Sequence, residues 1–217
     1  MTQPHLNIFQ SYSVCIKKCC TGMTQVMKAY SSELGIVLRK RLSSAFRSAG
    51  VPLADFRYSY YDSSCGPDDE RYRISVYTAA SRLEEAMEIV ASVLGGLDRS
   101  GATLEDLQSA RVELLPELRG VRKKYRTPNP VFVDKCVSSY LYGTSLASDD
   151  AVRAFLLNKK LPDDKELGLF NGFLKAMLDP VRNLTLRIDV PMDAADPEGL
   201  VPLFSASWEK DPPQSWR

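Results

Sequence analysis

The chain has 217 residues, 44% apolar and 25% charged, which is enough to bury a core without disulfides or a structural metal. Its 28 basic and 27 acidic side chains leave a formal charge of +1, so the basic excess of a nucleic-acid-binding domain is absent. No segment approaches the ~20 apolar residues that cross a bilayer and no signal-peptide pattern opens the chain, which predicts a soluble protein, cytoplasmic or periplasmic if bacterial.

In chain order, Ile8, Tyr12, Val14 and Ile16 share a parity between Leu6 and Lys18, the alternation of a half-buried strand. After Gly22 the period changes, and Met27, Tyr30, Leu34, Val37, Leu38, Leu42, Ala45 and Phe46 form the stripe of a long helix closed by Gly50 and Pro52. Two strand-like segments follow, Ala54 to Asp62 and Arg71 to Thr78, joined by a loop rich in Ser, Gly, Pro and Asp and therefore read as an antiparallel pair.

The clearest stretch is Thr78 to Leu115. Leu83, Ala86, Met87, Val90, Val93, Leu94 and Leu97 give one helix an apolar stripe, and Gly95, Gly96 and the run Asp98 to Gly101 are read as its end. Thr103 and Asp106 then fit the [ST]-x-x-[DE] capping signature of a second helix, which Pro116 is expected to kink or end. Another helix is predicted from Asn129, with Pro130 in its first turn, Phe132, Val133, Val137, Tyr140 and Leu141 on its apolar side, and Gly143 as its stop.

Past an ambiguous stretch with a short helical piece near Ala151 to Leu157, Leu167, Phe170, Phe173, Leu174, Met177 and Leu178 mark a further amphipathic helix. Asn183 to Val190 alternates as a strand with one exposed face. Residues 191–217 read as a proline-rich tail, partly ordered at most, around one apolar piece, Leu200 to Trp208. Clustered rather than alternating elements predict a single α+β domain over 1–217, an antiparallel sheet with helices packed on one face.

Counting removes most catalytic constellations. The only histidine is His5, so a Ser-His or Cys-His pair is not supported, and a zinc site of the H-E-x-x-H or H-x-x-E-H kind lacks its two imidazoles. No glycine loop of the phosphate-cradling kinds occurs. Cys15, Cys19 and Cys20 form the only thiol cluster, and five cysteines without a C-x-x-C repeat are better read as reduced thiols than as a metal site. Arg119, Arg122, Lys123, Lys124 and Arg126 read as the solvated end of a helix, and Glu84 and Glu88 as a solvated face. Tyr58, Tyr60, Tyr61 and Tyr72 gather on the small sheet, where ordinary strand packing competes with a ligand groove.

The run RKRLSSAFRSAG, the aromatic strands, then SGATLEDLQSARVEL, NPVFVDKCVSSYLYG and NLTLRIDV together resemble the C-terminal-type domain of the pitrilysin/insulinase zinc metallopeptidases, a metallopeptidase-like α+β unit. The segment Gly101 to Arg111 is the most specific part, similar to that family's Gly, Thr, acidic-Leu, Ala-Arg helix start. With no H-x-x-E-H in the chain, the resemblance implies a non-catalytic unit that encloses peptide substrate, with no cofactor of its own and with zinc in a partner catalytic domain or subunit. It further implies that Arg47, and Tyr58 or as second choice Phe56, contact the substrate backbone. The alternative for Arg47 is a surface arginine at a helix C-terminus. The rival reading of the whole chain is a stand-alone α+β interaction module, and a metal-independent hydrolase built on carboxylates ranks last.

Overall fold

The computed structural model describes residues 5–13, 21–61, 69–120, 129–142, 153–154, 157–158, 160–178, 184–189 and 197–213. Four strands, β1 His5–Ser13, β2 Asp55–Tyr61, β3 Asp69–Tyr77 and β4 Leu184–Asp189, form an antiparallel sheet in the order β2-β3-β1-β4. Among the described residues, the α-helices that accompany it are α1 Thr21–Ser48, α2 Leu83–Ser100, α3 Leu104–Gly120, α4 Asn129–Tyr142, α5 Asp164–Leu178 and α6 Pro197–Trp208. The described residues are thus mostly helical, with one small sheet. The N-terminal strand lies between β3 and β4, with His5 opposite Tyr77 on one side and Asp189 on the other.

The long helix ends as its sequence requires. Gly50 adopts φ 67, its N–H donates to the Arg47 carbonyl at 3.2 Å, and the Val51 N–H donates to the Phe46 carbonyl at 3.0 Å. This is the doubly bonded Schellman stop, with buried Val51 and Phe46 as its apolar clasp. Only glycine takes that backbone angle without strain. On the sheet, Phe56 pairs with Val76 and Tyr58 with Ile74, so these four side chains share a face that packs with α1 in the core.

Helix α2 is the centre of the core. Every residue of its expected stripe is buried, and so are Ile89, Ala91, Ser92, Gly95 and Gly96. Two helices, α1 and α5, cover one side and α6 covers another. The glycine pair corrects the expected helix end: α2 runs on to Ser100, and Gly101, φ 74, is the residue that stops it. Gly95 and Gly96 are the places where the C-terminal segment comes too close for a side chain. A Cβ on Gly95 would lie 2.0 Å from the Trp208 carbonyl oxygen, and one on Gly96 would lie 2.6 Å from the Pro212 ring. Two helical glycines cost roughly 1 kcal/mol each against alanine, a cost offset by the packing they permit.

Leu200 to Trp208, the apolar piece of the proline-rich segment, forms α6 and lies on α2 with Leu200, Phe204 and Trp208 buried. Ser92 donates to the Ser207 carbonyl at 3.1 Å, and Arg99 holds the end of α6 through the carbonyls of Trp208 and Lys210. Pro116 neither ends nor interrupts α3, which continues to Gly120. Both Pro116 and Val112, whose carbonyl loses its helical donor, lie on the solvent side, where water replaces the bond.

Val14 and Ile16 of the expected first strand lie outside the described residues, as do Cys15, Cys19, Cys20, Cys65, the basic residues Arg122 to Arg126, Gly143 and most of 144–159. The largest departure concerns α4. It forms where expected, but Phe132, Val133, Val137, Tyr140 and Leu141 are all about half exposed or more, because no described element lies over that side.

Candidate functional site

The two expected substrate-contact residues stand in different settings. Arg47, in the last turn of α1, is exposed, and its side chain makes no hydrogen bond or ion pair with another described residue. Its position beside the last carbonyls of α1 is favourable for a cation, and its guanidinium extends into solvent. Tyr58 faces the opposite way, toward α1. Its ring lies 2.7 Å from where a Cβ on Gly35 would be, and its hydroxyl is 2.8 Å from the Ser31 hydroxyl. Burial pushes the Tyr58 hydroxyl well above the ordinary tyrosine range, against a smaller lowering by Ser31.

Gly35 precedes Arg47 by twelve positions on one helix, so the two backbone positions lie about 18 Å apart along α1 at 1.5 Å per residue. They do not meet at one point. Phe56 shares the face of Tyr58 and packs against the core. Tyr60 and Tyr72 are opposite one another across β2 and β3.

The helix start that carried the sequence resemblance is built as its motif predicts. The Thr103 N–H donates to Asp106 Oδ2 at 2.9 Å, and the Asp106 N–H donates back to Thr103 Oγ1 at 3.2 Å, a reciprocal capping box. Asp106 also takes Arg41 Nη2 at 2.5 Å. Burial raises the Asp106 carboxyl, but Arg41 and Thr103 outweigh it and hold the group below the usual carboxylate range. Next to it, the Asn171 side chain bonds both backbone groups of Ala102, accepting at 2.8 Å and donating at 3.1 Å. Between α1, α2, α3 and Pro212 lies a cleft of about 380 Å³, in which Lys40, Arg41 and Asp106 are already engaged by neighbouring side chains.

A buried ionic cluster went unread in the sequence. Arg111 is 2% exposed and Glu33 0%; the guanidinium bonds Glu33, reaches Glu166 Oε1 at 2.8 Å and donates to the Lys160 carbonyl at 2.8 Å. Desolvation lowers the Arg111 pKa, and the two carboxylates more than reverse this, so it stays charged. Tyr30, beside them, is pushed up to about 12 by burial and then by Glu166 and Glu33. Through Arg111 the cluster fastens α1, which carries Glu33, α3, which carries Arg111 itself, and α5, which carries Glu166.

A signal for it was present. Glu33 falls between Tyr30 and Val37, and Arg111 between Leu107 and Leu114, each a charge on an apolar stripe at helical spacing and of sign opposite to the other.

Among the described residues, no group of three or more His, Cys, Asp or Glu side chains is placed to hold a metal ion. The chain does not fit the inverted zinc motif in any case, since that motif needs two imidazoles one turn apart and the sequence has one histidine. No described helix is long and apolar enough to cross a membrane.

No protein-family model matches the sequence, and no curated protein does. Solved structures do match in fold. The periplasmic protease PqqL from Escherichia coli superposes with a TM-score of 0.66 at 16% identity, over 98% of this chain and 24% of that one. Its first half alone is covered to 46%, so half of PqqL has room for about two units of this size. The peptidase M16 inactive domain from Pseudomonas fluorescens gives a TM-score of 0.55 at 16% identity, over 91% of this chain and 42% of that one. The inactive peptidase domain of a zinc protease from Bordetella parapertussis gives 0.54 at 14% identity, over 88% and 96%. The chain therefore spans less than half of PqqL and of the Pseudomonas protein, and it has the fold of insulinase- and pitrilysin-type peptidase domains, inactive ones among them.

Proposed function

We propose that this chain is the metal-free, substrate-enclosing unit of a pitrilysin/insulinase-like zinc peptidase and acts beside a separate zinc-bearing domain or subunit. The observation that carries the reading is a pairing: a fold like that of insulinase-type peptidase domains over nearly the whole chain, together with a single histidine. A protein that keeps the scaffold and lacks the ligands is suited to binding peptide and not to cleaving it.

In this reading Arg47 is the side chain offered to the substrate backbone, because it is exposed and uncommitted among the described residues. Tyr58 acts from behind, fixing β2 against α1 through Ser31. Zinc belongs to the partner, where it would supply the activated water for peptide hydrolysis.

The test mixes the purified chain with zinc and a quenched-fluorescent peptide library, alone and with a partner encoded beside it that bears H-x-x-E-H. The expected result is no hydrolysis by the chain alone, hydrolysis by the mixture above that of the partner by itself, and a loss of about tenfold in that gain on Arg47→Ala. Metal-dependent cleavage by the isolated chain, or a partner indifferent to its presence, would overturn the reading. The exposed apolar side of α4 favours a second reading, a stand-alone interaction module, which predicts the indifferent partner.

A further inference from the structure

The sheet has a second face, away from α1, that the peptidase reading leaves unused. Alternation assigns it, because Phe56, Tyr58, Ile74 and Val76 belong to the face that packs into the core, and their neighbours along each strand belong to the other. Arg57, with its side chain 70% exposed, and exposed Arg73 show that no described element covers that side of β2 and β3. The strand registers order this face into cross-strand rows. Asp55 and Asp189 stand at the two ends of the first row, and Arg57 and Arg187 at the two ends of the second. Arg73 lies in the third, Arg71 in the fourth and Asp69 in the fifth. Among the described residues, three consecutive rows thus carry four arginines and no acidic residue, and carboxylates stand only in the rows beyond them.

We propose that this arginine face binds a short acidic stretch of an extended polypeptide, with carboxylates at alternate positions. Successive rows are two residues apart, ~6.8 Å, and neighbouring strands are ~4.8 Å apart, so Arg71, Arg73 and Arg57 follow one another at about 7–8 Å. Alternate side chains of an extended peptide repeat at nearly the same ~7 Å. A guanidinium receives a carboxylate through two parallel N–H bonds, which suits arginine to this pairing better than lysine. Arg57 is already held low on the sheet, its guanidinium 5.2 Å from the centre of the Tyr77 ring and its Nε donating to Asp55 Oδ2 at 2.8 Å. That ion pair is exposed, and exposed pairs contribute little, so an incoming carboxylate can share the guanidinium or displace Asp55 at small cost.

The bordering acids decide the class of partner. The arginine rows span only ~14 Å, and a nucleic acid or an anionic membrane carries its charge past them, onto Asp55 and Asp189 at one end and Asp69 at the other. The formal charge of +1 likewise supplies no long-range attraction for a polyanion. A polypeptide can confine its acidic residues to the length of the three rows. The inference concerns binding by this chain alone and does not rest on the peptidase reading.

Titration of the full chain, labelled with nitrogen-15, against the peptide Gly-Ser-Glu-Ser-Glu-Ser-Glu-Ser-Gly at low salt should move the amide signals of β2 and β3, with a Kd of about 0.1–1 mM. Salt at ~0.5 M should weaken binding by about tenfold. Arg73→Glu should weaken it by at least about tenfold with an unchanged circular dichroism spectrum, and Arg57→Ala, the second variant, by at least about threefold. Lys165→Glu, an equal change of charge at an exposed position of α5, should leave the Kd within about twofold. An isomer of the peptide with its glutamates adjacent should bind at least about threefold more weakly, and a thymidine tetranucleotide no better than that isomer. Amide signals of β2 and β3 that do not move, a Kd indifferent to both arginine variants, an isomer that binds equally or a tetranucleotide that binds more tightly than the first peptide would each overturn the proposal.

Discussion

Helices α2 and α4 carry the same kind of apolar stripe and meet opposite fates. Every stripe position of α2 is buried, beneath α1, α5 and α6, while the stripe of α4 faces solvent. Periodicity therefore reports that a helix forms with one apolar side; it does not report what covers that side. The glycines point the same way. Gly95 and Gly96 lie against the α6 end and Pro212, whereas Gly168 and Gly172 of α5 have open space at the Cβ position.

The largest expected effect tests burial directly. Leu94→Ala, at a position 1% exposed, should lower unfolding free energy by roughly 2–5 kcal/mol, and Leu141→Ala on α4 should change it by less than about 0.5 kcal/mol in dilute monomer. Urea denaturation of both variants decides the matter, and equal losses would mean that the α4 stripe is buried in solution.

A smaller loss, about 1–3 kcal/mol, is expected for Gly95→Ala, because the new methyl meets the Trp208 carbonyl and must push α6 away from α2. Gly172→Ala should instead stabilise by up to about 1 kcal/mol through helix propensity alone. The two thermal midpoints should thus move in opposite directions.

The smallest effect concerns the fastening of α3 to α1. The folded Asp106 carboxyl titrates below its ordinary value, so its charge contributes stability that is complete above the unfolded pKa of about 3.9 and is lost as pH falls through the lower folded value. Asp106→Asn should cost about 1 kcal/mol at neutral pH through the weakened cap and the lost Arg41 pair. The difference from wild type should shrink as pH drops below about 4. A difference that stays constant in pH would show that the carboxylate charge contributes nothing.

By itself the sequence determined the elements whose causes are local. The Schellman stop at Gly50, the Thr103–Asp106 capping box and the α2 stripe involve residues within a few positions of one another, and each was legible before any fold was known. The count of one histidine likewise needed no structure to remove the zinc motif.

Tertiary structure decided whatever depends on partners distant in the chain. Gly95 and Gly96 looked like a helix end because the segment that needs their missing side chains, Trp208 to Pro212, comes more than a hundred residues later. Arg111 and Glu33 lie 78 positions apart in the chain, and only the meeting of α1 and α3 makes each a counter-ion of the other. Tyr58 reads as a strand tyrosine in sequence, and only the packing of β2 on α1 directs its hydroxyl to Ser31 and away from solvent. Periodicity and capping act over a single turn or pleat, whereas burial depends on which surfaces the whole chain brings into contact.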